Sequence, residues 1–167
     1  MTDFLKNTSQ YEESVKDTLQ PYFFRAGERL HGSATETGTD LYYRRSQYED
    51  VNLEVHPQNF KTPFQSTSLK LSSLGVGTYL GEPDDYTDYM MYDALKTSVL
   101  SGGVNHIDTA PNYRYMKSER TVGRVLTTLD NKYGIARDQL FITSKAGYVP
   151  EDAEAMLSKN DQITHLV

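Results

Sequence analysis

The 167-residue chain has no cysteine, which excludes a disulfide framework, a thiolate metal site and a cysteine nucleophile, and fits a reducing compartment. No apolar run reaches membrane-spanning length. Clustered positive charge is also scarce: 17 Lys and Arg stand against 23 Asp and Glu, the formal net charge is −6, and the densest basic pair, Arg44-Arg45, is isolated. Sequence-independent nucleic-acid binding needs clustered cations to neutralise phosphates, so that class is not expected. The first residues, MTDFLKNTSQYEESVKD, carry acids and lack both the apolar core of a secretory signal and the Arg-rich face of a transit peptide. His31, His56, His106 and His165 are scattered without ligand spacing, which leaves no case for zinc. A cytoplasmic protein with no membrane or nucleic-acid partner is expected.

What is present divides unevenly. Hydrophobic content is 37% and mean hydropathy is −0.63, a balance explained by polar, poorly patterned sequence before residue 68. Gln10 to Leu30 is helix-compatible, with Val15, Leu19, Phe23 and Leu30 forming a broken stripe around Pro21. His31 to Thr39 reads as a connector, and Leu41 to Phe64 shows no clear period. Residues 1–63 are therefore expected to form a mostly irregular, partly helical extension, and residues 64–167 the regular unit.

From Phe64 the pattern sharpens. The runs FQSTSL and KLSSLGV suggest a hairpin, and Leu74 to Tyr79 a strand rich in small residues. Thr87 to Leu100 has helical apolar spacing closed by Gly102-Gly103, Val104 to Asp108 reads as a strand, and Ser118 to Tyr133 as a helix with Ser118 as N-cap and Gly134 as its stop. Phe141 to Lys145 reads as a further strand, and Glu151 to Val167 as a weak helix with a short apolar end. Strands and helices alternating every 30 residues or so are the pattern of parallel βαβ units. The expected fold is α/β: a partial (β/α)8 TIM barrel, with an N-terminal hairpin and about three βα units.

Asp108 and Lys145 fall at the carboxyl ends of successive expected strands, and Tyr113 in the loop after the first. In parallel barrels active sites assemble at that end, so the three polar groups should converge. A tyrosine phenol, with an ordinary pKa near 10, donates a proton poorly at neutral pH unless a neighbouring ammonium stabilises the phenolate left behind. Lys145 suits that part, and Asp108 would hold and partly neutralise the lysine. Gly75-Val76-Gly77-Thr78-Tyr79-Leu80-Gly81 misses the dinucleotide fingerprint spacing by one residue, and no P-loop is present.

Gly75-Val76-Gly77-Thr78, Asp108-Thr109-Ala110-x-x-Tyr113, Ser118-Glu119 with Gly123 and Leu126, and Phe141-Ile142-Thr143-Ser144-Lys145 together resemble the aldo/keto reductase family over roughly Thr67 to Gly147. The resemblance implies NADP-dependent reduction of a small aldehyde or ketone, with Tyr113 as proton donor, Asp108 and Lys145 tuning its phenol, and Gly77, Thr78, Tyr79 and Asp108 near the nicotinamide. Family members also use a His after strand four and late loops that hold the adenosine phosphates. A complete barrel needs about 250 residues, so the expectation is a front half that lacks those parts and is inactive or nearly so alone. His106 lies two residues before Asp108, on the same face but deeper, and is expected to be a packed histidine; His165 is a poor substitute.

Open barrel edges would then call for a second chain, or another copy, to cover them. The alternative reading is a non-catalytic structural or assembly subunit derived from a reductase.

Overall fold

The computed structural model describes residues 30–48 and 55–148. The expected helix before Leu30 and the segment from Glu151, His165 included, lie outside the described residues. In chain order the elements are α1 (Glu36–Tyr48), β1 (Phe60–Lys61), β2 (Leu71–Ser72), β3 (Val76–Gly77), α2 (Asp85–Leu100), β4 (His106–Asp108), α3 (Lys117–Tyr133) and β5 (Phe141–Thr143), with single 3-10 turns at Pro57–Asn59 and Arg137–Gln139.

β3, β4 and β5 form a parallel sheet in that order, with Val76 opposite Ile107 and Ile107 opposite Ile142. Side chains alternate along a strand. Ile107 therefore faces the helices and is fully buried, whereas His106 and Asp108, with Phe141 and Thr143 beside them on β5, share the opposite face. The helix side carries the core: Tyr92, Leu95 and Val99 of α2 and Val122, Val125, Leu126 and Leu129 of α3 pack on Ile107 and Leu140. Fully burying one such aliphatic side chain contributes about 1.5–3 kcal/mol.

α2 starts where Asp84 accepts a hydrogen bond from the Thr87 backbone N–H at 2.7 Å, a bond that holds the Asp84 carboxyl below its usual range. α3 begins one residue earlier than the sequence suggests, and Ser118 is not its cap: Met116 stands at that position with φ 69° and no capping side chain. Ser118 instead donates to the buried Thr78 carbonyl at 2.8 Å. A tertiary acceptor has displaced the local cap. Gly134 ends α3 as expected, with φ 64° and its N–H on the Asp130 carbonyl.

The antiparallel pair expected before β3 exists, but its first arm lies earlier than Phe64, with Phe60 opposite Ser72. It is fastened to the amino end of β4 by Asn105, which accepts from Ser72 N–H at 2.8 Å and donates to the Lys70 carbonyl at 2.9 Å. Phe64 rests on Phe141, ring centroids 5.8 Å apart. The hairpin therefore closes the amino end of the sheet.

The region expected to be a connector followed by aperiodic sequence contains α1. Its sequence, ETGTDLYYRRSQY, has no strong apolar stripe, and tertiary anchors hold it instead. Thr35 accepts from Gly38 N–H at its start, and Thr35 N–H donates to the Asp138 carbonyl at 3.0 Å. A Cβ on Gly38 would sit 2.3 Å from that same Asp138 oxygen, so only glycine permits the approach. The Tyr42 hydroxyl reaches the Val99 and Val104 carbonyls at 2.6 and 2.8 Å, and burial pushes its phenol well above the usual value, which keeps the proton on the donor.

Candidate functional site

β3, β4 and β5 each end with a candidate residue at or just beyond their carboxyl ends. Asp108 is the last residue of β4, paired with Gly77 on one side and Thr143 on the other. Lys145 lies two residues past Thr143, and its ammonium donates to Asp108 Oδ2 at 2.6 Å and to the Thr109 carbonyl at 2.9 Å. The same nitrogen is 4.7 Å from the centroid of the Tyr113 ring. Asp108, Tyr113 and Lys145, separated by up to 37 positions in sequence, are thus brought to one place.

The electrostatics follow from that contact. Partial burial pulls the Asp108 carboxyl upward, but the Lys145 ammonium and the Thr143 hydroxyl outweigh it and hold the group below the usual carboxylate range. Asp108, and next to it Tyr113, raise Lys145 above its ordinary value. At neutral pH the site holds a carboxylate and an ammonium. Both side chains remain more than two-fifths exposed, so the pair is open to an incoming molecule.

The residues expected near a nicotinamide divide into two kinds. A Cβ on Gly77 would meet nothing within 4 Å, so bare backbone borders open space beside Asp108. Tyr79 is exposed and meets the Tyr113 ring edge-on, centroids 5.0 Å apart. Thr78, by contrast, is fully buried. Its hydroxyl contacts the Asp108 carbonyl at 3.1 Å and the Thr109 hydroxyl at 2.9 Å, so it shapes the strand end and offers no free polar group.

Tyr113 sits in a turn whose next three residues, Arg114, Tyr115 and Met116, have φ of 52°, 54° and 69°. Left-handed backbone costs a non-glycine residue roughly 1–2 kcal/mol. The turn is held by buried charge: Arg114 pairs with Asp88 of α2, Lys117 reaches Asp88 at 2.9 Å, and Arg124 lies 4.0 Å from it. Burial lowers the Arg114 guanidinium below its ordinary value. Lone basic residues after Tyr113 gave no hint in sequence that they turn inward.

A profile of the Aldo/keto reductase family matches residues 73–166 of the chain. This chain belongs to the aldo/keto reductase family. The NADH-specific methylglyoxal reductase of Escherichia coli (strain K12) is 32% identical over 103 residues, which cover 59% of this chain and 30% of that protein. The chain therefore spans about a third of the length of that relative. No solved structure matches it at a significant level.

For an aldo/keto reductase the informative omission is Thr143. Its hydroxyl donates to Asp108 Oδ1 at 2.9 Å, so the carboxylate is held from both oxygens. The signal was available: Thr143 precedes Lys145 by two, which puts both on one strand face. His106 behaves as a packed histidine, edge-on to Phe141 with centroids 5.3 Å apart. Among the described residues no histidine contacts Tyr113 or Lys145. No helix among the described residues is long and apolar enough to cross a membrane.

Proposed function

We propose that this aldo/keto reductase family chain contributes the proton-donating side of a nicotinamide-dependent carbonyl reduction, with Tyr113, Lys145 and Asp108 as its working groups. The observation that carries the reading is the Lys145 ammonium lying between the Asp108 carboxylate and the Tyr113 ring. Tyr113 protonates the carbonyl oxygen of a small aldehyde or ketone. Lys145 stabilises the phenolate that remains, and Asp108 fixes the ammonium and offsets its charge.

The open backbone at Gly77 and the exposed Tyr79 ring fit a flat heteroaromatic ring laid beside Asp108, with Thr78 shaping the floor. The hydride for the carbonyl carbon is what a bound nicotinamide supplies. The family resemblance favours NADP, while the Escherichia coli relative carries NADH in its name, so both nucleotides belong in any assay.

In this reading β3, β4 and β5 are the first three strands of a (β/α)8 barrel that begins near residue 64, with residues 1–63 as an extension before it. Among the described residues β3 and β5 each pair only with β4, and further strands, from a second chain or another copy, would cover those edges. The carbonyl-orienting histidine and the grip on the adenosine phosphates would come from outside the described residues.

The test is oxidation of NADPH and NADH with methylglyoxal and other small carbonyls, for the chain alone and after adding a polypeptide that supplies the rest of the family's barrel. Turnover is expected in the mixture, with Tyr113→Phe lowering it by about 10²–10⁴-fold. Equal turnover with Tyr113→Phe overturns the assignment of the donor.

A further inference from the structure

On the inner face of the sheet, below Asp108, lies a titratable side chain that the proposed reduction does not use. His106 Nε2 is 3.4 Å from Thr143 Oγ1, and Thr143 Oγ1 is 2.9 Å from Asp108 Oδ1. The other Asp108 oxygen receives Lys145 at 2.6 Å. Four side chains from two adjacent strands and the loop after β5 thus form one line, from the interior of the sheet to the candidate site.

The direction of the bonds can be derived. A threonine hydroxyl carries one hydrogen, and an ionised carboxylate only accepts. The hydroxyl hydrogen therefore goes to Asp108, the shorter contact and the charged acceptor, in preference to the Ile107 carbonyl at 3.4 Å. That leaves a Thr143 lone pair facing His106, so the nitrogen pointing at it must carry the hydrogen. The imidazole has little freedom to turn away. A Cβ on Gly75 would come within 3.0 Å of its Nδ1, and Phe141 stands edge-on at 70° on the opposite strand. Just before β3 the Gly75 backbone faces the ring, and from β5 Phe141 and Thr143 do.

We propose that His106 and Thr143 are positioning residues, a donor relay in which His106 Nε2–H orients the Thr143 hydroxyl and Thr143 locks Asp108 in the rotamer that receives Lys145. The proposal rests on the reading of Asp108 as the group that holds Lys145. Neither residue touches a reacting atom. The relay acts by fixing one oxygen of Asp108 so that the other stays aimed at the ammonium, which in turn fixes the distance from Lys145 to Tyr113. The Thr143 hydroxyl favours the ionised form of Asp108, as this arrangement requires.

Carbon-13 and nitrogen-15 NMR on the intact 167-residue chain tests the relay without turnover. Neutral His106 is expected as the Nε2–H tautomer, and Thr143→Val is expected to raise the Asp108 titration midpoint and to shift the His106 Nε2 signal. Thr143→Ser, which keeps the hydroxyl, is expected to restore both. A neutral His106 with its hydrogen on Nδ1 overturns the relay, and so does an Asp108 midpoint that Thr143→Val leaves unmoved. Should Thr143→Val not fold, the neutral His106 tautomer in the wild-type chain decides: hydrogen on Nε2 upholds the relay and hydrogen on Nδ1 overturns it. No readout uses a nicotinamide or a carbonyl substrate. Failure here therefore leaves the reductase reading standing, and absence of carbonyl reduction leaves these signals as they are.

Discussion

Lys145 and Asp108 hold each other across two strands, and the consequences are local. Because Lys145 is the opposite charge on Asp108, Lys145→Met is expected to raise the Asp108 titration midpoint, followed by the carboxyl carbon-13 shift against pH. The linkage has a defined sign. A carboxyl depressed on folding contributes stability that is present above its ordinary pKa of about 4 and is lost as pH falls through the depressed value. A lysine raised on folding contributes stability that is present below its ordinary value of about 10.4 and is lost as pH rises through the raised one. The pair therefore acts across the neutral range. Denaturant midpoints of wild type and Lys145→Met should converge at both extremes, and because both groups are exposed the gap between them at neutral pH should be small.

Two elements depend on contacts that their own sequences do not advertise. The turn carrying Tyr113 is tied to α2 through Asp88, a carboxylate only 4% exposed that faces Arg114, Lys117 and Arg124. Among the described residues Asp88 is the buried anion these cations share, while Lys117 also reaches the exposed Asp85 at 3.3 Å. Asp88→Ala is expected to cost about 3–5 kcal/mol in urea unfolding, and to broaden the Tyr113 ring signals as the left-handed turn loses its anchor. α1 depends on a missing side chain: Gly38→Ala would press a methyl group against the Asp138 carbonyl. Amide exchange should then speed up along α1 while α2 and α3 keep their protection.

Across the whole molecule, α1, the hairpin and the sheet share one core, because Tyr42 and Phe60 belong to the same buried cluster as Ile107 and Leu129. Tyr42→Phe keeps the ring and removes the hydroxyl that binds the Val99 and Val104 carbonyls. A loss of about 1–3 kcal/mol is expected, seen as one transition moved to lower denaturant. Separate transitions for α1 and the sheet would show that the extension is not part of the cooperative unit.

The strand and helix alternation after residue 74 was legible because period and punctuation agree there: apolar spacing in α2 and α3, glycine at both helix ends, and β-rich runs between. Asp108, Tyr113 and Lys145 were legible for the same reason, since strand ends fix which residues can share a mouth. α1 was not legible, because its helix is held by Gly38, Tyr42 and Thr35 meeting distant backbone. The Ser118 cap failed because a carbonyl 40 positions away competes for the hydroxyl.

Local pattern by itself determined the α/β class, the parallel order of the strands and the candidate triad, since periodicity and turn residues act over a few positions. Only the tertiary structure decided that Thr143 and His106 stand behind Asp108, that Arg114 turns inward to Asp88, and that α1 closes on the loop at Asp138. Those outcomes rest on pairings between groups far apart in the chain, whose energies exist only once the sheet has set their distances.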